Sequence, residues 1–335
     1  MATISTTDVR QSQQRRNWAR AASILQRQGA LVALVLLVAF GTLRYNGFLS
    51  TYNITELLRY NAMFGLIALG MTFVIMTGGI DLSVGSVAAL ASVTAALLSP
   101  YGLLPAIAVP VLVGILAGMF NGWGITRLGI PPFITTLAML LGARGAALIL
   151  AKNASISVDT GAGFANIGLK SVFGVPIPVL ILIVAYLLGS IALNYTRFGR
   201  HVLAIGGNEE AARLMGLPVN RIKLSVYALS GGLAGLAGVL LAALTFTGLP
   251  TEGVGWELSA IAAVVVGGTL LTGGVGSVGT TLVGVLLLGL IFNMLNFENG
   301  RGVISLSAYW QSVIRGVFLL IVVVLQNRLT GKRRA

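Results

Sequence analysis

The residues best placed to do chemistry are Thr77-Gly78-Gly79-Ile80-Asp81-Leu82-Ser83-Val84-Gly85, where a carboxylate and two glycines interrupt an apolar stretch. Met63–Met76 precedes the break and Val84–Leu98 follows it. Joined, the two runs would be about twice the ~20 residues that a membrane helix needs. A charge at that depth is costly unless it faces protein or water, which makes Asp81 a candidate for contact with a solute. The same residues also describe a tight turn between two spans, with Asp81 capping the helix that follows.

Other polar groups fall inside or beside apolar runs: Asn121, Thr135, Thr136, Arg144, Glu257, Asn293, Asn296 and Gln311. Amides and hydroxyls donate and accept alike, so they suit a hydroxylated neutral solute better than an ion. Asn121, Thr135, Arg144, Glu257 and Asn293 are therefore the candidate substrate path. Each can equally serve as a hydrogen bond between helices. Arg315, near a span end, reads as a snorkelling side chain, and Arg144 needs a partner that the sequence does not name.

The elements that must position these groups are membrane helices. Apolar residues make up 56% of the 335 and charged residues only 9%, with a mean hydropathy of +0.93. A soluble domain carries about 25% charged residues, so this chain is an integral membrane protein. With no cysteine and one histidine, His201, it offers no thiol chemistry and no metal-ligand set. The net charge of +13 is better explained by basic cytoplasmic loops than by nucleic acid.

Ten candidate spans follow from the apolar runs: 29–48, 61–77, 84–99, 103–126, 133–151, 176–193, 225–247, 257–271, 277–296 and 309–326. Residues 1–28 read as a retained cytoplasmic tail and 327–335 as a second one, flanking an all-α transmembrane domain over 29–326. Threaded from a cytoplasmic start, the inner side collects fifteen basic residues and the outer side five. That bias predicts both termini inside. It also places the Asp81 turn on the inner side.

Two loops are long. Residues 152–175, outside, are a cap, a docking surface or a solvated loop. Residues 194–224, inside, contain a short helix: Asn208 is an N-cap, Glu209 and Glu210 occupy the acid-favouring first turn, and Gly216 with Pro218 ends it. Ala211, Ala212, Arg213, Leu214 and Met215 are its body, and the last two form an apolar tip suited to a partner's groove or to lipid headgroups.

Thr272-Gly273-Gly274 with Ser277-Val278-Gly279 echoes Thr77-Gly78-Gly79 with Ser83-Val84-Gly85, predicting two pseudo-repeated halves. The second copy lacks the acid. Gly274–Gly279 also fits G-x-G-x-x-G, but with membrane spans on both flanks it is not a dinucleotide site. No P-loop pattern occurs, so ATP is not hydrolysed here through one. Gly231, Gly235 and Gly238 form a small-residue packing face, within the fold or between subunits.

Thr77–Ser86, Thr196-Arg-Phe-Gly-Arg200, Ala204-Ile-Gly-Gly-Asn208 and Glu257–Thr269 together resemble the signature of ribose-type sugar ABC transporter permeases. The resemblance extends from the second span nearly to the end. It departs at Ser259, where the family usually has an acid. Residues 253–276 with Asn296-Phe297 look most like a galactofuranose permease.

The resemblance implies a bacterial inner-membrane importer for a pentose or hexose. It implies a separate cytoplasmic ABC ATPase, an extracytoplasmic sugar-binding protein and a second permease, identical or sister. Asn208–Gly216 would sit in the ATPase groove, and neither cofactor nor catalytic residue is expected. The charge count, together with the missing acid in the echo at 273–279, makes Gly78, Gly79, Asp81, Ser83 and Gly85 read as a helix-breaking hinge. The rivals are an ion-coupled transporter or channel acting alone, and a branched-chain amino-acid ABC permease.

Overall fold

The computed structural model describes residues 29–300 and, beyond them, Trp310, Val313, Ile314, Gly316, Val317, Leu320 and Val324. The predicted tails 1–28 and 327–335, and most of the span 309–326, lie outside the described residues. The helices are α1 (Gly29–Arg44), α2 (Thr51–Met76), α3 (Val84–Leu98), α4 (Leu103–Arg127), α5 (Pro132–Leu150), α6 (Asn166–Leu169), α7 (Ile177–Tyr195), α8 (Arg197–Gly207), α9 (Glu209–Leu214), α10 (Val219–Thr245), α11 (Trp256–Val266) and α12 (Val278–Gly300). Among the described residues, seven helices are long and apolar enough to cross a membrane, while α1 and α11 are shorter. The protein is an all-α, multi-pass membrane protein.

Two long helices carry the core. α2 is buried along its second half, from Asn61 to Met76, and α10 packs against α2, α3 and α4. Glycines set how closely α10 meets α4. A Cβ at Gly118 would stand 2.0 Å from the Tyr227 carbonyl oxygen, and one at Gly231 would stand 2.1 Å from that of Gly114. The small-residue face read from the sequence thus packs within the chain, against α4 and, at Gly238, against Ala88 of α3. α4, α5 and α7 turn apolar side chains such as Leu104, Leu141 and Leu188 outward, the arrangement expected of helices solvated by hydrocarbon.

Several boundaries differ from the sequence reading. α2 begins at Thr51 rather than Asn61, because Ser50 caps it by accepting from the Asn53 N–H at 3.3 Å. Its polar first turns hid that start. α11 stops at Val266 rather than Leu271, where Gly268 at φ 88° closes a left-handed ending with the Thr269 N–H on the Val264 carbonyl. Residues 194–224 hold α8, α9 and the start of α10, not one short helix.

The long loop 152–175 is fastened rather than free. Ile156 pairs with Gly248 between strands β1 (Ile156–Ser157) and β2 (Thr247–Gly248), Phe164 is fully buried, and α6 lies on the end of α10 through Gly168 and Ala243.

Candidate functional site

The break between α2 and α3 folds back into the protein. Thr77, Gly78 and Gly79 close α2, with Gly78 at φ 76° and the Gly79 N–H on the Val74 carbonyl at 3.1 Å. Asp81 then lies 1% exposed. Its Oδ1 accepts from the Ser83 N–H at 3.0 Å and the Ser83 hydroxyl at 2.6 Å. Its Oδ2 accepts from the Ser230 hydroxyl, midway along α10, at 2.8 Å. Asn121 of α4 donates Nδ2 to Ser83 Oγ at 3.0 Å, and Tyr227 donates its hydroxyl to the Ile80 carbonyl at 3.3 Å.

The carboxylate therefore lies in the interior, satisfied by hydroxyls and a backbone N–H, and not at a loop surface. The partner that ties Asp81 down is a neighbouring helix.

The two glycine turns meet. The Gly274 N–H donates to the Met76 carbonyl at 3.0 Å, and α8 crosses them at Gly206, where a Cβ would stand 1.8 Å from the same carbonyl oxygen. This close crossing accounts for Gly206 within Ala204–Asn208. Gly85 is a second close approach, with its Cα side against the Gly253 backbone and the Glu257 carboxylate.

The five path candidates do not form one site. Asn121 is fully buried beside Ser83, and Thr135 donates to the Pro131 carbonyl on its own helix. Arg144 finds partners that a sequence cannot display. It donates to the backbone carbonyls of Pro250, at 2.6 Å, and Glu252, with electrostatic attraction from Glu257 and Glu252. It clamps the segment that joins α10 to α11. Asn293 forms a reciprocal amide pair with Asn53, at 2.7 and 3.3 Å.

Asn293 also faces a cavity of about 320 Å³ between α2, α11 and α12. Glu56, Tyr60, Asn61, Phe64, Ser259 and Asn296 are among its walls, and among the described residues no basic side chain lines it. The Tyr60 and Phe64 rings stand 5.5 Å apart, and Trp256 backs Phe64 at 4.8 Å. Sequence reasoning missed Glu56, Tyr60, Asn61 and Phe64. The recurrence of amides at Asn53, Asn61, Asn293 and Asn296 is the signal that could have found the site.

At the other end, Asn208 caps α9 by accepting from the Ala211 N–H at 2.9 Å, and Gly216, at φ 78°, ends it. Glu209 pairs with Arg213 at 2.9 Å and with Lys223 of α10. Burial pushes the Glu209 carboxyl up, but the hydrogen bonds and charges of Lys223 and Arg213 outweigh it and hold the group below the usual glutamate value. Ala212 is buried, whereas Leu214 and Met215 are 84% and 70% exposed. Glu210 projects outward.

A family described as "Branched-chain amino acid transport system / permease component" matches residues 53–323. The chain is 39% identical over 310 residues to the ribose import permease RbsC of Bacillus subtilis, covering 91% of this chain and 94% of that one. It is 42% identical over 299 residues to the inner membrane ABC transporter permease YjfF of Escherichia coli, covering 86% and 87%. It is 37% identical over 314 residues to the L-arabinose ABC transporter permease AraH of Azospirillum brasilense, covering 93% and 91%. No solved structure matches. The chain belongs to this family of ABC-importer permeases, in its ribose-type branch. It is a transport subunit of the inner membrane and not itself an enzyme.

Proposed function

We propose that this chain is the membrane path of an ATP-driven importer for a neutral monosaccharide, a pentose or hexose. The observation that carries the substrate class is the cavity wall of amides, hydroxyl and aromatic rings, with no basic residue among the described ones. An amino acid would bring a carboxylate, and no described cation on that wall balances its charge. Ribose, arabinose and galactofuranose are the sugars to assay first: two from the relatives and one from residues 253–276.

Several features support a partnered importer over a solitary transporter. The chain has no P-loop, yet it holds out a capped helix with an apolar tip. Ten spans in two pseudo-repeated halves, both termini cytoplasmic, put α8 and α9 on the side of the ATPase and 152–175 on the side of the sugar-binding protein. A second permease, identical or sister, completes the membrane part.

The coupling route runs through named contacts. The ATPase grips Asn208–Gly216, the Glu209–Lys223 pair passes its displacement to α10, and Ser230 passes it to Asp81 and the α2–α3 break. Gly78 and Gly79 allow the break to bend, and Ser83 and Gly85 set the start of α3. Purification in mild detergent tests the assembly. An ABC ATPase should accompany the wild-type chain and be lost from Leu214→Asp/Met215→Asp. Recovery of a chain that transports sugar with no ATPase would overturn the reading.

A further inference from the structure

We infer that the cavity between α2, α11 and α12 is a monosaccharide-binding pocket inside each single chain. The inference rests on the sugar-permease reading and adds a site to it. Size comes first. At about 320 Å³ the cavity is at the lower end of small-ligand pockets, the end that suits a ligand of about ten to twelve heavy atoms. One sugar ring has that many.

The walls match the chemistry of such a ring. A sugar presents a C–H face, which packs on aromatic rings, and an equator of hydroxyls, each of which donates and accepts. Tyr60 and Phe64 offer the first surface, and the Asn293 amide, which keeps a second N–H beyond its pair with Asn53, faces the second. The one carboxylate, Glu56, is paired with Arg59 at 2.8 Å, and Arg59 reaches away to the Leu169 carbonyl. Among the described residues no cation lines the cavity to meet an anionic solute.

The site is built at a cost to packing. Asn61 is 5% exposed in the core of α2 and gives one N–H to the Leu57 carbonyl at 2.7 Å. Its amide rests against Gly289, where a Cβ would stand 2.0 Å from Asn61 Oδ1. A buried amide costs free energy where an aliphatic residue would not. α12 gives up a side chain to admit one.

The pocket also has a floor. Further along the same seam, Thr72 and Thr281 hydrogen bond at 3.0 Å, and a Cβ at Gly267 would stand 2.6 Å from the Thr280 carbonyl oxygen. A solute reaching the Asn61 level from the Glu56 end cannot pass on until α2 and α12 part. The pocket is thus a holding site on one side of a closed seam.

The chain contains no cysteine, so a single introduced thiol reports on one position. Ser259→Cys places it in the cavity wall, Asn296→Cys supplies a second wall position, and Ser171→Cys is an exposed control. Each is tested in the complete importer in proteoliposomes, with D-ribose, L-arabinose and D-galactose as probes and a charged methanethiosulfonate as the reagent. The transported sugar, at about ten times its half-effective concentration, should slow labelling of both wall cysteines about tenfold and leave Ser171→Cys unchanged.

Equal labelling with and without sugar, in an importer that still takes up sugar with ATP, would overturn the pocket and leave the permease reading intact. Protection by L-leucine and not by sugar would overturn the substrate class. Absence of sugar uptake altogether would defeat both. Asn293→Leu supplies an independent readout. It should raise the KM for uptake, and an unchanged KM contradicts the pocket.

Discussion

Ser230, halfway along α10, donates its hydroxyl to Asp81 Oδ2 at 2.8 Å and so ties the longest helix described to the break between α2 and α3. Removing either partner leaves a buried polar atom without its bond, a loss of about 1–3 kcal/mol. Ser230→Ala and Asp81→Asn should lower the thermal midpoint of the detergent-solubilised importer and slow transport, with sugar preference unchanged. A changed preference in Asp81→Asn would mean that the carboxylate meets the solute.

Coupling through α10 predicts non-additivity. Glu209→Gln cuts the link from α9 to α10, and Ser230→Ala cuts the link from α10 to Asp81. If both lie on one route, the double variant should couple ATP hydrolysis to uptake no worse than the weaker single variant. Independent roles would instead give additive losses in the double-mutant cycle.

The pH response of α9 follows from Glu209. Its carboxyl is held below the usual glutamate value, about 4.3. The stabilisation it brings is therefore complete above that value and disappears as pH falls through the lowered one. Protection factors for amide exchange across 209–214, which remove the intrinsic pH dependence of exchange, should be flat from about pH 8 to pH 5 and fall only below. Glu209→Gln should lower protection throughout, with little further change on acidification.

Glycine spacing makes a sharp pair of predictions. A methyl at Gly118 would press on the Tyr227 carbonyl, whereas one at Gly142 meets nothing within 4 Å. Gly118→Ala should depress the amount of folded chain in the membrane, and Gly142→Ala should leave it unchanged. Western blots of membrane fractions with a fluorescence thermal-shift assay decide it.

What the sequence revealed, and what it hid, divides by the range of the interactions. Asn208, Glu209, Gly216 and Pro218 act within a few residues of one another, so α9 was legible from its caps. The apolar runs located α3, α4, α5, α7 and α12 closely, because hydrocarbon demands long apolar helices wherever the chain crosses. Asp81 was conspicuous, but Ser230 is 149 residues away and no local pattern points to it.

Arg144 was hidden more deeply, since backbone carbonyls are its acceptors and every residue has one. The cavity needed three helices to be brought together before Tyr60, Asn61 and Phe64 shared a wall with Asn293. The family resemblance supplied the partners and the role of α9, which residue spacing alone leaves open between a groove and a lipid surface.

Reconstitution into proteoliposomes tests the central claim most directly. The chain, an ABC ATPase and a sugar-binding protein are combined, and radiolabelled sugar is followed with ATP supplied to the ATPase. Uptake is predicted to require all three components and ATP, and to fall to background in Leu214→Asp/Met215→Asp although the variant chain inserts normally. Uptake by the chain alone, driven by an ion gradient and indifferent to ATP, would contradict the account.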